Sequence, residues 1–97
     1  PPVVPGNARV THLDTFEKIR IQARVAENCL WSLPILNQVL AREFDLYAVR
    51  GEYFYTISVD RETLDIRMIE ASEGRLIKPQ DLHVIADWFE ECTTLPR

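Results

Sequence analysis

Apolar and polar positions change their spacing along this chain, and each change predicts an element. In EKIRIQARV, residues 17–25, Ile19, Ile21, Ala23 and Val25 alternate with Lys18, Arg20, Gln22 and Arg24. A period of two is the signature of a half-buried strand. The same stretch carries a competing helical pattern. Phe16, Ile19, Ala23, Ala26 and Leu30 recur at helical spacing, behind Thr11 and Asp14 at capping-box distance. A helix would leave Ile21 and Val25 opposite that stripe, so the alternation favours a strand.

The next segment, SLPILNQVLAREF (32–44), predicts a helix. Ser32 can cap it, and Pro34 falls in the first turn, where no backbone N–H is needed. Leu33, Leu36, Leu40 and Phe44 form one stripe, widened by Ile35 and Val39. A stripe this broad implies contact on more than one side. LYAV (46–49) and EYFYTISV (52–59) then read as strands joined at Arg50-Gly51, and LDIRMIE (64–70) as a third strand after the polar turn DRET. Gly74 breaks the sheet. Pro79 opens a last helix to about Cys92, with Leu82, Ile85, Ala86 and Phe89 on its apolar face. Residues 93–97 form a short tail.

Taking DRET as the loop pairs Val59 with Leu64, Ile57 with Ile66 and Tyr55 with Met68, all on one face. The Arg50-Gly51 turn pairs Ala48 with Tyr53 and Leu46 with Tyr55 on that same face. The other face then holds Ser58 opposite Asp65 and Thr56 opposite Arg67. At its far end it turns apolar, with Phe54 facing Ile69 and with Tyr47 and Val49 beside them. Either the chain's own segments cover that end, or another chain docks on it, or its aromatics stack on nucleic-acid bases. Tyr47, Val49, Phe54 and Ile69 are the candidate interface, and Trp88, beside the stripe of the last helix, is a candidate anchor.

Ninety-seven residues at 46% apolar and 27% charged make one ordinary globular domain. It is expected from residue 11 to 97, behind a flexible, proline-rich lead-in at 1–10. The lead-in has no charged start and no apolar core of a secretory signal, and no run of some 20 apolar residues could span a bilayer. The net charge of −4 disfavours a phosphate backbone and suits a cytoplasmic setting. Cys29 and Cys92, far apart in sequence, read as two half-buried reduced thiols.

Catalytic and metal-binding patterns do not emerge. His12 and His83 are distant from each other and from both cysteines. His83 and Asp87 are one helical turn apart, which reads as a solvated pair. A Cys29–His83–Asp87 grouping would need a tertiary contact that nothing in the spacing implies. Glu90 and Glu91 sit unfavourably at a helix C-terminus, where a basic partner would relieve them. Gly6, Gly51 and Gly74 belong to no phosphate-binding loop. No metal and no cofactor is expected.

The order helix, three antiparallel strands, helix over 32–92 resembles that of double-stranded-RNA-binding domains. That resemblance implies lysines at the start of the last helix, but PQDLHVIADWFEEC has only Lys78 before it and His83 inside. No RNA contact is carried over. LNQVLAREFDLYAVRGEYFYTISVD is also similar to small acidic dimeric secretion chaperones in pairing a leading helix with an antiparallel sheet.

The expectation is an α+β domain, with three to four antiparallel strands and two helices packed mainly on one face. Its expected function is non-enzymatic binding of a protein, itself included as a homodimer, as a small regulator, immunity-type inhibitor or chaperone of bacterial or phage type. The alternative is nucleic-acid binding through a basic strand carrying Lys18, Arg20 and Arg24, with Arg50 or Arg67 nearby.

Overall fold

The computed structural model describes residues 2–93. The chain runs β1 (Val10–His12), α1 (Phe16–Ala26), α2 (Leu33–Leu40), β2 (Phe44–Arg50), β3 (Phe54–Asp60), β4 (Ile66–Ala71), a 3-10 turn (Ser72–Gly74) and α3 (Pro79–Thr93). The four strands form one antiparallel sheet in the order β1-β2-β3-β4. An α+β architecture on a small antiparallel sheet is what the patterning predicts. The described residues form three helices, and these lie on both faces of the sheet. Of the expected tail at 93–97, Thr93 closes α3 and residues 94–97 lie outside the described residues.

Strand β3 explains why both faces need cover. Tyr55 through Val59 are buried without interruption, so the strand is enclosed from two sides. Tyr55, Ile57 and Val59 join Tyr47, Val49, Ile85 and Trp88 in one core, beneath α3. On the opposite side Phe44 and Leu46 meet Leu13, Ile19, Ala23 and Leu30, beneath α1 and α2. The polar residues on that side are satisfied. Gln22 Nε2 donates to the Tyr55 carbonyl at 3.2 Å and to Thr56 Oγ1 at 2.9 Å. Asn28 Nδ2 donates to the same hydroxyl at 3.3 Å.

Residues 17–25 are helical rather than extended. Thr15 caps the helix, its hydroxyl accepting the Lys18 N–H at 3.1 Å. Ile19, Gln22, Ala23 and Ala26 form the buried stripe, while Ile21 and Val25 are exposed. The alternation misleads because those two β-branched residues face solvent. Helical burial of Ile19 and Ala26 decides the outcome.

The hairpin register differs from expectation as well. Residues 51–53 form the first turn, so Arg50 pairs with Phe54, Val49 with Tyr55 and Tyr47 with Ile57. A loop one residue longer than Arg50-Gly51 turns β2 over. Tyr47 and Val49, not Leu46 and Ala48, share a face with Tyr55. The second turn is longer too. The Asp60 carboxylate accepts the Glu62 and Thr63 N–H groups, Leu64 takes a positive φ of 64°, and Val59 meets Ile66. A bulge between Ser58 and Val59 then sets Met68 opposite Ser58 and Ile69 opposite Ile57.

The proline-rich lead-in is tied to the core. Val4 is buried, and the Tyr47 hydroxyl donates to its carbonyl at 2.6 Å. Val3 N–H donates to Asp45 Oδ2 at 2.9 Å, and Trp88 Nε1 to the Pro5 carbonyl at 2.9 Å. Burial, more than any neighbouring charge, pushes the Tyr47 phenol up to about 12. Burial followed by its bond to Asp81 raises Tyr55.

A second fastening joins α3 to the β2–β3 turn. Asp81 is buried, and its Oδ2 accepts the Tyr55 hydroxyl at 2.5 Å and the Glu52 N–H at 2.9 Å. The carboxylate lies where a side chain at Gly51 would go, since a Cβ there would sit 2.2 Å from Asp81 Oδ1.

Two outcomes follow from these fastenings. Gly51→Ala must displace the Asp81 carboxylate and strand two hydrogen bonds, which costs about 2 kcal/mol or more. The urea midpoint should drop accordingly; a wild-type midpoint would contradict the close approach. The contribution of Tyr47 to stability should also be constant below pH 10, where its phenol is protonated in both states. It should fall toward pH 12, because the unfolded chain releases the Tyr47 proton first. Denaturant midpoints stepped upward in pH should decline less steeply for Tyr47→Phe. Identical slopes would show that Tyr47 is not the group involved.

Candidate protein-docking surface

The expected interface does not form a surface. Tyr47, Val49 and Trp88 are 0%, 3% and 1% exposed, sealed between the sheet, α3 and the N-terminal segment. Ile69 is half-buried against the same core. Phe54 sits on the opposite face, with the Arg50 guanidinium 5.3 Å from its ring centre. The physical reason is the turned-over β2, which places Tyr47 and Val49 under α3.

Exposed apolar side chains gather instead on α1 and α2. Ser32 has the extended backbone of an N-cap and Pro34 occupies the first helical turn, which fixes where α2 starts. The helix, LPILNQVL, has no charged residue and no fully buried one. Ile35, Leu36 and Val39 lean half-buried on the Phe44–Leu46 core. Leu33 and Leu40, two turns apart on the outer face, stay 70% and 65% exposed, with Asn37 exposed between them.

Trp31, just before the cap, is 46% exposed and packs edge-on against Phe16 of α1, ring centres 6.4 Å apart. Its indole borders an open pocket of about 390 Å³ lined by Arg20, Ala23 and Arg24. Arg20 is held by Glu17, and Arg24 has no ion pair among the described residues. The arrangement offers an aromatic ring, two leucines and a guanidinium, a combination suited to seating a polypeptide.

The basic strand does not exist. Lys18, Arg20 and Arg24 stand on a helix, where Lys18 pairs with Asp14 at 2.7 Å and Arg20 with Glu17 at 2.5 Å. Arg67 reaches over the Phe44 ring at 5.1 Å. Cys29 is exposed rather than half-buried, Cys92 is half-buried, and both are free. Burial raises the Cys92 thiol. His83 and Asp87 are exposed on α3, across the sheet from Cys29, so that grouping is not assembled. Glu90 and Glu91 are exposed at the end of α3. Among the described residues no cluster of three or more His, Cys, Asp or Glu could hold a metal, and no helix is long and apolar enough to cross a membrane.

Sequence reasoning found the breadth of the α2 stripe but missed that its outer part stays uncovered. The exposure of Trp31, just before Ser32, has no signal in the local pattern, because a hydrophobic residue at that position often packs back on its helix.

Set against known proteins, the chain matches no family model, no curated protein and no solved structure.

The two tryptophans should separate in stability. Trp88→Ala empties a core position and should cost about 3–5 kcal/mol. Trp31→Ala should stay within about 1 kcal/mol of wild type. Chemical denaturation of both variants measures this, and a Trp31 loss as large as that of Trp88 would make Trp31 a structural residue.

Proposed function

We propose that this chain is a non-enzymatic protein-binding module whose α1–α2 surface receives another polypeptide. The exposure of Trp31 beside Leu33 and Leu40 carries this reading. Tryptophan is enriched among residues that dominate binding energy, and exposed apolar side chains gathered on one part of a surface mark interaction sites. Such a module acts as a small regulator, inhibitor or chaperone, by occupying its partner. The acidic balance and the unpaired cysteines support a reducing, cytoplasmic setting. Nucleic acid is not favoured, because Asp14 and Glu17 neutralise Lys18 and Arg20.

The test replaces Trp31 with a photo-cross-linking residue in the native cell, beside a control at Leu76, an isolated side chain that is also exposed. Position 31 should yield a discrete protein adduct and position 76 none. Equal labelling at both positions, or none at 31, would sink the reading.

A further inference from the structure

We infer that the α2 stripe is occupied by a second copy of this chain, packed antiparallel, α2 against α2. The inference rests on the docking reading above and names its partner.

Charge is the first argument. From Asn28 to Ala41 the chain carries no Asp, Glu, Lys, Arg or His, although its net charge is −4. Two copies that meet along α2 bring no charged residue of that helix together, whereas contact through most other acidic surface would set like charges together. A partner recognised by charge would find nothing to read along α2.

Spacing is the second. Leu33, Asn37 and Leu40 are separated by four residues and then three, so the outer stripe is nearly unchanged when the helix is reversed. A two-fold axis passing near Asn37 sets Leu33 against the partner's Leu40, and Leu40 against the partner's Leu33. That is an isologous contact, which closes at two copies and leaves no open stripe for a third. Asn37 falls beside the axis. Its amide both donates and accepts, so it can bond its own counterpart. A single polar residue in an apolar helical seam fixes register and copy number.

Area is the third. The exposed parts of Phe16, Trp31, Leu33, Pro34, Asn37 and Leu40 come to on the order of 600 Å² per copy, against about 800 Å² per partner in a standard interface. A patch of that size suits a dimer that forms and separates in the micromolar range.

Light scattering over a micromolar concentration series tests the inference. The mass should rise from 11.3 kDa toward twice that value. Leu33→Lys and Leu40→Glu should each hold the protein at 11.3 kDa with an unchanged melting temperature. An equimolar mixture of the two variants should restore the dimer. One of its two cross-contacts becomes an ion pair and the other remains leucine on leucine. A wild-type chain that stays monomeric, variants that still dimerise, or a mixture that stays monomeric would each overturn the inference. If the wild type is monomeric while position 31 still cross-links to a different protein, the second copy is excluded and the docking reading stands. If there is neither dimer nor adduct, both fall.

Discussion

The structure depends on one constraint: β3 is buried on both faces, so a chain of 97 residues has to cover a four-stranded sheet twice. α3 and the N-terminal segment cover the side of Tyr47, Tyr55 and Ile57. α1 and α2 cover the side of Phe44 and Leu46. Small domains bury a smaller share of their surface than large ones, and cover becomes thin where the chain is short. It is thinnest at α2, whose eight residues lean on the core through one edge and leave the other in water.

α3, α1 and the N-terminal segment are each fastened by a polar contact as well as by packing. Asp81 ties α3 to Tyr55 and to the turn at Glu52. Gln22 ties α1 to Thr56. Asp45 accepts the Val3 N–H and both contacts from Arg61 Nη1, at 2.9 and 2.8 Å, which holds the start of the chain beside the turn after β3. Apolar burial alone would allow a helix to slide across a greasy sheet. A buried carboxylate or amide that loses its partner has no substitute, so these contacts fix where α1, α3 and the N-terminal segment lie. Among the described residues no buried side-chain nitrogen or oxygen lacks a partner.

Strands β2 to β4, the last helix and the α+β class were legible because runs such as FYTISVD and HVIADWF leave little choice of period. β1 (Val10–His12) and two further features were not. Ile21 and Val25 are β-branched residues on the solvent side of a helix, and local pattern cannot distinguish that from an alternating strand; only the tertiary burial of Ile19, Gln22 and Ala26 does. Nor could the length of the first hairpin loop be read, because Gly51 suits a two-residue turn. Here it is needed for the approach of Asp81, thirty positions later. That one-residue difference exchanged the faces of β2. It moved Tyr47 and Val49 from a supposed surface into the core, and the functional patch moved with them. The anchoring of the lead-in was not legible for a related reason: Val4 and the Tyr47 hydroxyl that holds it come together only in the fold.

The leucines of α2 need a reason beyond folding. Helix propensity is not one, since Glu, Lys and Gln form helices about as well as Leu and would keep the outer face wet. Packing is not one either, because Leu33 and Leu40 are turned from the core that Ile35 and Val39 touch. Trp31 adds a large half-exposed ring that packs on Phe16, itself exposed. In a chain with 27% charged residues, the uncharged stretch from Asn28 to Ala41 includes a helix that the fold leaves half covered. Water is a poor neighbour for that surface. The arrangement is accounted for when the outer face of α2 is an inner surface of something larger than one chain.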